Sequence, residues 1–117
     1  MEVTLKRTPL LNKDGTHSES PQGDKNYLQH DAWALMMLMR QIDGLGQAPH
    51  MRVVMKLHDI AMQAWMDDAD TIELEDEQVT TLKSLLGDPK GKFKGDELLQ
   101  DFTVQRTIVE MKDALGV

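Results

Sequence analysis

The sequence predicts a mainly α protein, a compact bundle of about four helices with a short N-terminal extended arm or β-hairpin. Three observations predict it. After residue 25, apolar side chains recur at the three- and four-residue steps of helix faces. Glycine and proline fall mostly between those stretches, where turns belong. With 117 residues, 40% hydrophobic and 28% charged, the chain can bury one core without disulfides. Residues 1–25 thus read as an arm with a polar linker, and residues 26–117 as the helical part of a single domain.

Taken in order, Val3 and Leu5 alternate with polar neighbours at strand period, Pro9 punctuates, and residues 12–15 (NKDG) suit a turn. Residues 16–24 (THSESPQGD) are polar and turn-prone, as in a loop. A first helix is expected after Asp24, a suitable N-cap, ending by about Asp43 before Gly44 and Gly46. Its AWALMMLM run is apolar on every side, which predicts a central helix. Pro49 opens a second helix reaching about Met66. It carries one stripe of Val53, Leu57, Ile60 and Ala64 and an adjacent one of Met51, Met55, His58, Met62 and Trp65, so two packing neighbours are expected. A third helix starts behind Glu75, with Asp76 and Glu77 at its positive dipole end, and stops at Gly87 before Asp88 and Pro89. After a basic loop, KGKFKG at residues 90–95, Asp96 caps a fourth helix with Leu98, Phe102, Ile108 or Val109, Met111 or Lys112, and Leu115 on one face.

Composition excludes several functions. Without cysteine there is no disulfide framework, thiolate nucleophile or thiolate-bound metal. The longest apolar run, residues 32–39, falls far short of the roughly 20 residues that span a bilayer, and the first fifteen residues lack a signal-peptide core. A cytoplasmic protein with no membrane association is expected. The net charge of −7 comes wholly from residues 67–77 (DDADTIELEDE), seven acids and no base, and the remainder balances 13 acids against 13 bases. Direct nucleic-acid binding is not expected, because it needs clustered Lys and Arg.

No catalytic constellation emerges. His17, His30, His50 and His58 show no metal-binding spacing: His30-Asp31 and His58-Asp59 are neighbours that point about 100° apart on a helix, and thioether makes the His58 to Met62 step a poor zinc site. The acidic segment lacks the glycine and alternating ligands of a calcium loop and reads first as a solvated loop leading to a helix N-terminus, with a docking surface for a basic partner as the alternative. GKFKG is not a phosphate loop, and Ser18, Ser20 and Ser84 sit in no nucleophile motif. Neither a cofactor nor a metal is expected. Trp33 and Trp65 read as core anchors.

Two features remain as candidate binding surfaces. Seven of nine methionines, Met36, Met37, Met39, Met51, Met55, Met62 and Met66, fall in the first two helices; methionine fills irregular cores, the first reading, and is frequent on surfaces that receive helices, the alternative. The candidate partner-binding residues are Asp67, Asp68, Asp70 and Glu73 in the acidic segment and Met51, Met55, Met62 and Met66 on the second helix. Removing Asp67, Asp68 and Asp70 is expected to be nearly neutral for folding, since they precede the third helix.

The order of elements also resembles a known group. A short extended start with KDG, then LHDIAMQAW, then IELEDEQVTTLKSLLGD and a closing helix, over residues 3–115, is similar to small helical accessory proteins encoded by tailed phages and prophages. That resemblance implies action through protein contacts and supplies no active-site residues. The expected function is therefore a non-enzymatic protein–protein interaction module with an unidentified protein partner, self-associating as a symmetric dimer. The rivals are an acidic decoy that occupies a nucleic-acid-binding partner and a metal-dependent enzyme built on His50, His58 and nearby acids.

Overall fold

The structure, a computed structural model, describes residues 1–9, 14, 16, 28–42, 51–87 and 102–116. Within them the order is β1 (Glu2–Thr4), β2 (Arg7–Pro9), β3 (Leu28–His30), α1 (Asp31–Arg40), α2 (Met51–Met66), β4 (Thr71–Glu73), α3 (Asp76–Gly87) and α4 (Phe102–Leu115). The protein is mainly α with two small antiparallel sheets.

The arm is stitched into the core rather than lying outside it. β1 pairs with β4, setting Val3 opposite Ile72, while β2 pairs with β3, setting Arg7 opposite His30. Val3 and Leu5 point inward and are buried, as their alternation predicts. Two segments depart from expectation. The first helix begins at Asp31 rather than after Asp24, because residues 28–30 extend to pair with β2 and His30 caps the helix. The acidic segment is not simply a loop leading to a helix: Ile72 and Leu74 are buried between exposed Thr71, Glu73 and Glu75, and residues 71–73 form β4.

α1 is the central helix, with seven of its ten residues buried and contacts to α2, α4 and β3. Met36 and Met39 are core and Met37 packs against it. α2 turns Val53, Val54, Leu57, Ala61 and Ala64 inward, with Ile60 partly buried beside them. α3 starts where expected: the Gln78 side-chain oxygen accepts from the Glu75 amide at 2.9 Å, the returning half of a capping box. α4 buries Val104, Thr107, Ile108, Met111 and Leu115, whereas Val109 is exposed and Lys112 half-buried, which settles the two open positions of its face. No described helix is long and apolar enough to cross a membrane.

Asp14 accepts from the Thr16 amide at 2.9 Å and its hydroxyl at 2.6 Å, an Asx-type turn at the expected place. The remainder of the NKDG turn and the THSESPQGD loop, Asp24, Asp43, Gly44, Gly46, Pro49, Asp88, Pro89, the KGKFKG loop, Asp96 and Leu98 lie outside the described residues, as do His17 and His50.

Candidate interaction surface

α2 separates two kinds of apolar side chain. Its second stripe was expected to meet a second neighbour, but Met51, Met55 and Trp65 are exposed, His58 and Met62 are half-buried, and Met66 is 66% exposed. One helix thus keeps apolar side chains in solvent at both of its ends, with a half-buried stretch between them. Trp65 corrects the expectation of a core anchor: it is 42% exposed, while Trp33 is partly buried against the core.

The C-terminal end of this face opens onto a built corner. Arg7, on β2, reaches across to the turn after α2: its Nε donates to Asp68 Oδ1 at 2.8 Å, Nη1 to Asp70 Oδ1 at 2.9 Å, and Nη2 to the Asp68 carbonyl at 2.7 Å. Asp68 adopts φ 52°, the left-handed region that Asp tolerates better than most residues. The Arg7 guanidinium holds the Asp68 carboxyl below the usual carboxylate range, and the two aspartates raise the guanidinium still further. Arg7, Leu28, His30, Trp65, Met66 and Asp68 line an open groove of about 480 Å³ here. Leu28 and Trp65 are exposed and apolar; Arg7 and Asp68 supply charge.

Below the groove His30 fixes the start of α1. The Ala32 amide donates to His30 Nδ1 at 3.0 Å, so the ring proton sits on Nε2, which donates to the Ala69 carbonyl at 2.8 Å. The next residue, Asp31, is buried; its Oδ2 accepts from the Lys6 amide at 2.9 Å and its Oδ1 from the Thr107 hydroxyl at 3.2 Å. Burial pushes the Asp31 carboxyl above its ordinary value and the charge of Glu110 adds to that, while the two hydrogen bonds oppose it. Glu110 Oε2 is itself buried with no hydrogen-bond partner among the described residues.

The four acidic candidates are exposed but do not act as one patch. Asp67 accepts from Gln63 Nε2 at 2.9 Å, Asp68 and Asp70 face Arg7, and Glu73 meets the Met1 amino group at 2.9 Å. Replacing Asp67, Asp68 and Asp70 together would also remove the two exposed ion pairs that join Arg7 of β2 to the α2–β4 turn, contacts that the sequence did not reveal. Of the methionine candidates, Met51, Met55 and Met66 share the exposed face and Met62 is partly recessed. His58 takes a hydrogen bond from Arg40 Nε at 2.9 Å and lies 3.1 Å from Asp59. Among the described residues no group of three or more His, Asp or Glu is placed to hold a metal ion.

Sequence reasoning missed Arg7, Leu28 and His30, which lie on segments distant in sequence from α2. Only the basic pair Lys6-Arg7 in the N-terminal arm hinted at the acids across the turn. Compared with protein-family models, curated proteins and solved structures, the chain matches none.

Proposed function

We propose that this chain is a non-enzymatic protein–protein interaction module, a cytoplasmic helical bundle of phage or prophage type, whose working surface is the exposed face of α2 and the groove at its end. One observation carries the reading: a 16-residue helix keeps Met51, Met55, Trp65 and Met66 in solvent while its other side is buried. Removing such side chains from water stabilises a complex by about 25 cal/mol per Å² of apolar surface, and unbranched thioethers adapt to the partner's shape. Trp65 beside Arg7 and Asp68 adds an aromatic anchor next to charge, the composition in which binding energy concentrates.

The acidic-decoy reading has less support, because a phosphate mimic needs its carboxylates turned outward together and three of these are engaged by Arg7 and the Met1 amino group. The metal-enzyme reading has no constellation among the described residues to rest on.

A photo-crosslinker placed at Met55 should capture a partner in host cells, whereas one at the exposed Lys83 of α3 should not. The purified partner should bind a Met55→Glu, Met66→Glu variant at least tenfold more weakly than the parent, with unchanged helicity and only modest salt dependence. Equal affinity for both chains overturns the reading, and a steep salt dependence favours the decoy.

A further inference from the structure

The exposed side of α2 has a spacing that the chain itself uses only in part, through Met62 against the core and His58 beside Arg40. Met51, Met55, His58, Met62 and Trp65 follow one another at steps of four, three, four and three residues. That is the seam by which one helix lies along another. The buried side of α2 is elsewhere, at Val53, Leu57, Ala61 and Ala64; Met51, Met55 and Trp65 face outward, while His58 and Met62 between them are half-buried.

Charge beside the seam gives it a direction. Positions 52, 56, 59, 63 and 67 climb one flank at helical steps, and all five are exposed. Arg52 and Lys56 occupy its N-terminal half, and Asp59 and Asp67 lie toward the other end with Gln63 between them. A two-fold axis perpendicular to α2 makes two copies antiparallel and brings this same flank of each together. Arg52 and Lys56 of one copy then run beside Asp59 and Asp67 of the other. A parallel pair would instead set both acidic ends, with Asp67, Asp68 and Asp70, at one height and align the helix dipoles.

We propose that the occupant of the α2 face is a second copy of this chain, packed antiparallel in a symmetric dimer. The proposal rests on the reading of that face as the interaction surface and names what covers it. The seam is self-complementary, as an isologous interface requires. About an axis between His58 and Asp59, Met51 of one copy meets Met66 of the other and Met55 meets Met62. A 16-residue helix is about 24 Å long. One such pair lies below the roughly 800 Å² per partner of a standard interface, so the dimer dissociates on dilution.

Because the chain contains no cysteine, single introduced thiols report the geometry. Met51→Cys chains mixed with Met66→Cys chains should oxidise to the mixed product at least tenfold in excess of self-linked Met51→Cys product. In sedimentation equilibrium the parent should dimerise, and Met55→Glu should weaken association at least tenfold with helicity and melting temperature retained. An Arg52→Glu, Lys56→Glu chain and an Asp59→Lys, Asp67→Lys chain should each lose self-association yet pair with one another. A monomer at the highest concentration reached, a dimer indifferent to Met55→Glu, or preferential self-linkage of Met51→Cys overturns the proposal. A monomer that still binds a different protein through Met55 and Met66 overturns the second copy alone. A face that neither self-associates nor binds any protein overturns the interaction reading as well.

Discussion

Two adjacent side chains at the head of α1 answer to opposite demands. His30 must stay an acceptor at Nδ1 to receive the Ala32 amide, and its loss removes a cap. His30→Ala should therefore destabilise the protein by about 1 kcal/mol, read as a lower denaturant midpoint at constant slope. Asp31 is ionisable but buried, and its carboxyl is raised by burial. The folded protein holds that proton more tightly than the unfolded chain, so this residue's contribution to stability declines as pH rises from about 4, the ordinary aspartate value, through the raised one. Asp31→Asn keeps an acceptor for the Lys6 amide, and the Thr107 hydroxyl can rotate to accept from the new amide. We expect near-parent stability at pH 7 and a flatter dependence of melting temperature on pH above 4. Asp31→Ala instead strands the partly buried Lys6 amide and should cost about 1 kcal/mol. A pH profile of Asp31→Asn parallel to the parent's would sink this account. The sequence displayed the His30-Asp31 pair plainly, but not its purpose. Lys6 and Thr107 come from 25 and 76 residues away, and no local pattern encodes that convergence.

At the scale of elements, legibility followed periodicity. α2 and α3 were readable because each buries one face, and α3 also carries its own boundary chemistry, the Gln78 return to Glu75 being a cap visible as residue types at fixed steps. β1 was readable as alternation around Val3. β4 carried the same signal in Ile72 and Leu74, but the surrounding acids masked it, because composition suggested solvent where alternation suggested a half-buried strand. β3 had no signal: its exposed residue is Leu28 and its buried ones are Gln29 and His30, the reverse of the usual polarity. The candidate surface was half legible. The methionines were evident as a group, yet which of them faced solvent depended on which stripe of α2 met α1. This division is testable on one helix. Leu57→Ala should cost about 2–5 kcal/mol, whereas Met55→Ala, two residues earlier, should change stability little in the monomer. Comparable losses in chemical denaturation would contradict the placement of the two faces.

For the whole molecule, the radius of gyration is 14.1 Å, near the roughly 13 Å that a compact chain of this length takes. A core shared by the β1–β4 sheet and all four described helices should unfold as one unit. Circular dichroism should show mostly helix with a small extended component, and far-ultraviolet and tryptophan signals should melt together; separated transitions would show that the pieces are independent. The pairing of Glu2 with Glu73 has another consequence, one of timing. Synthesis proceeds from the N-terminus at about 5–20 residues per second, so β1 leaves the ribosome several seconds before its partner strand has been made. During that interval Val3 and Leu5 have no ladder to join, and a strand made before its partner is among the last elements able to reach its native place.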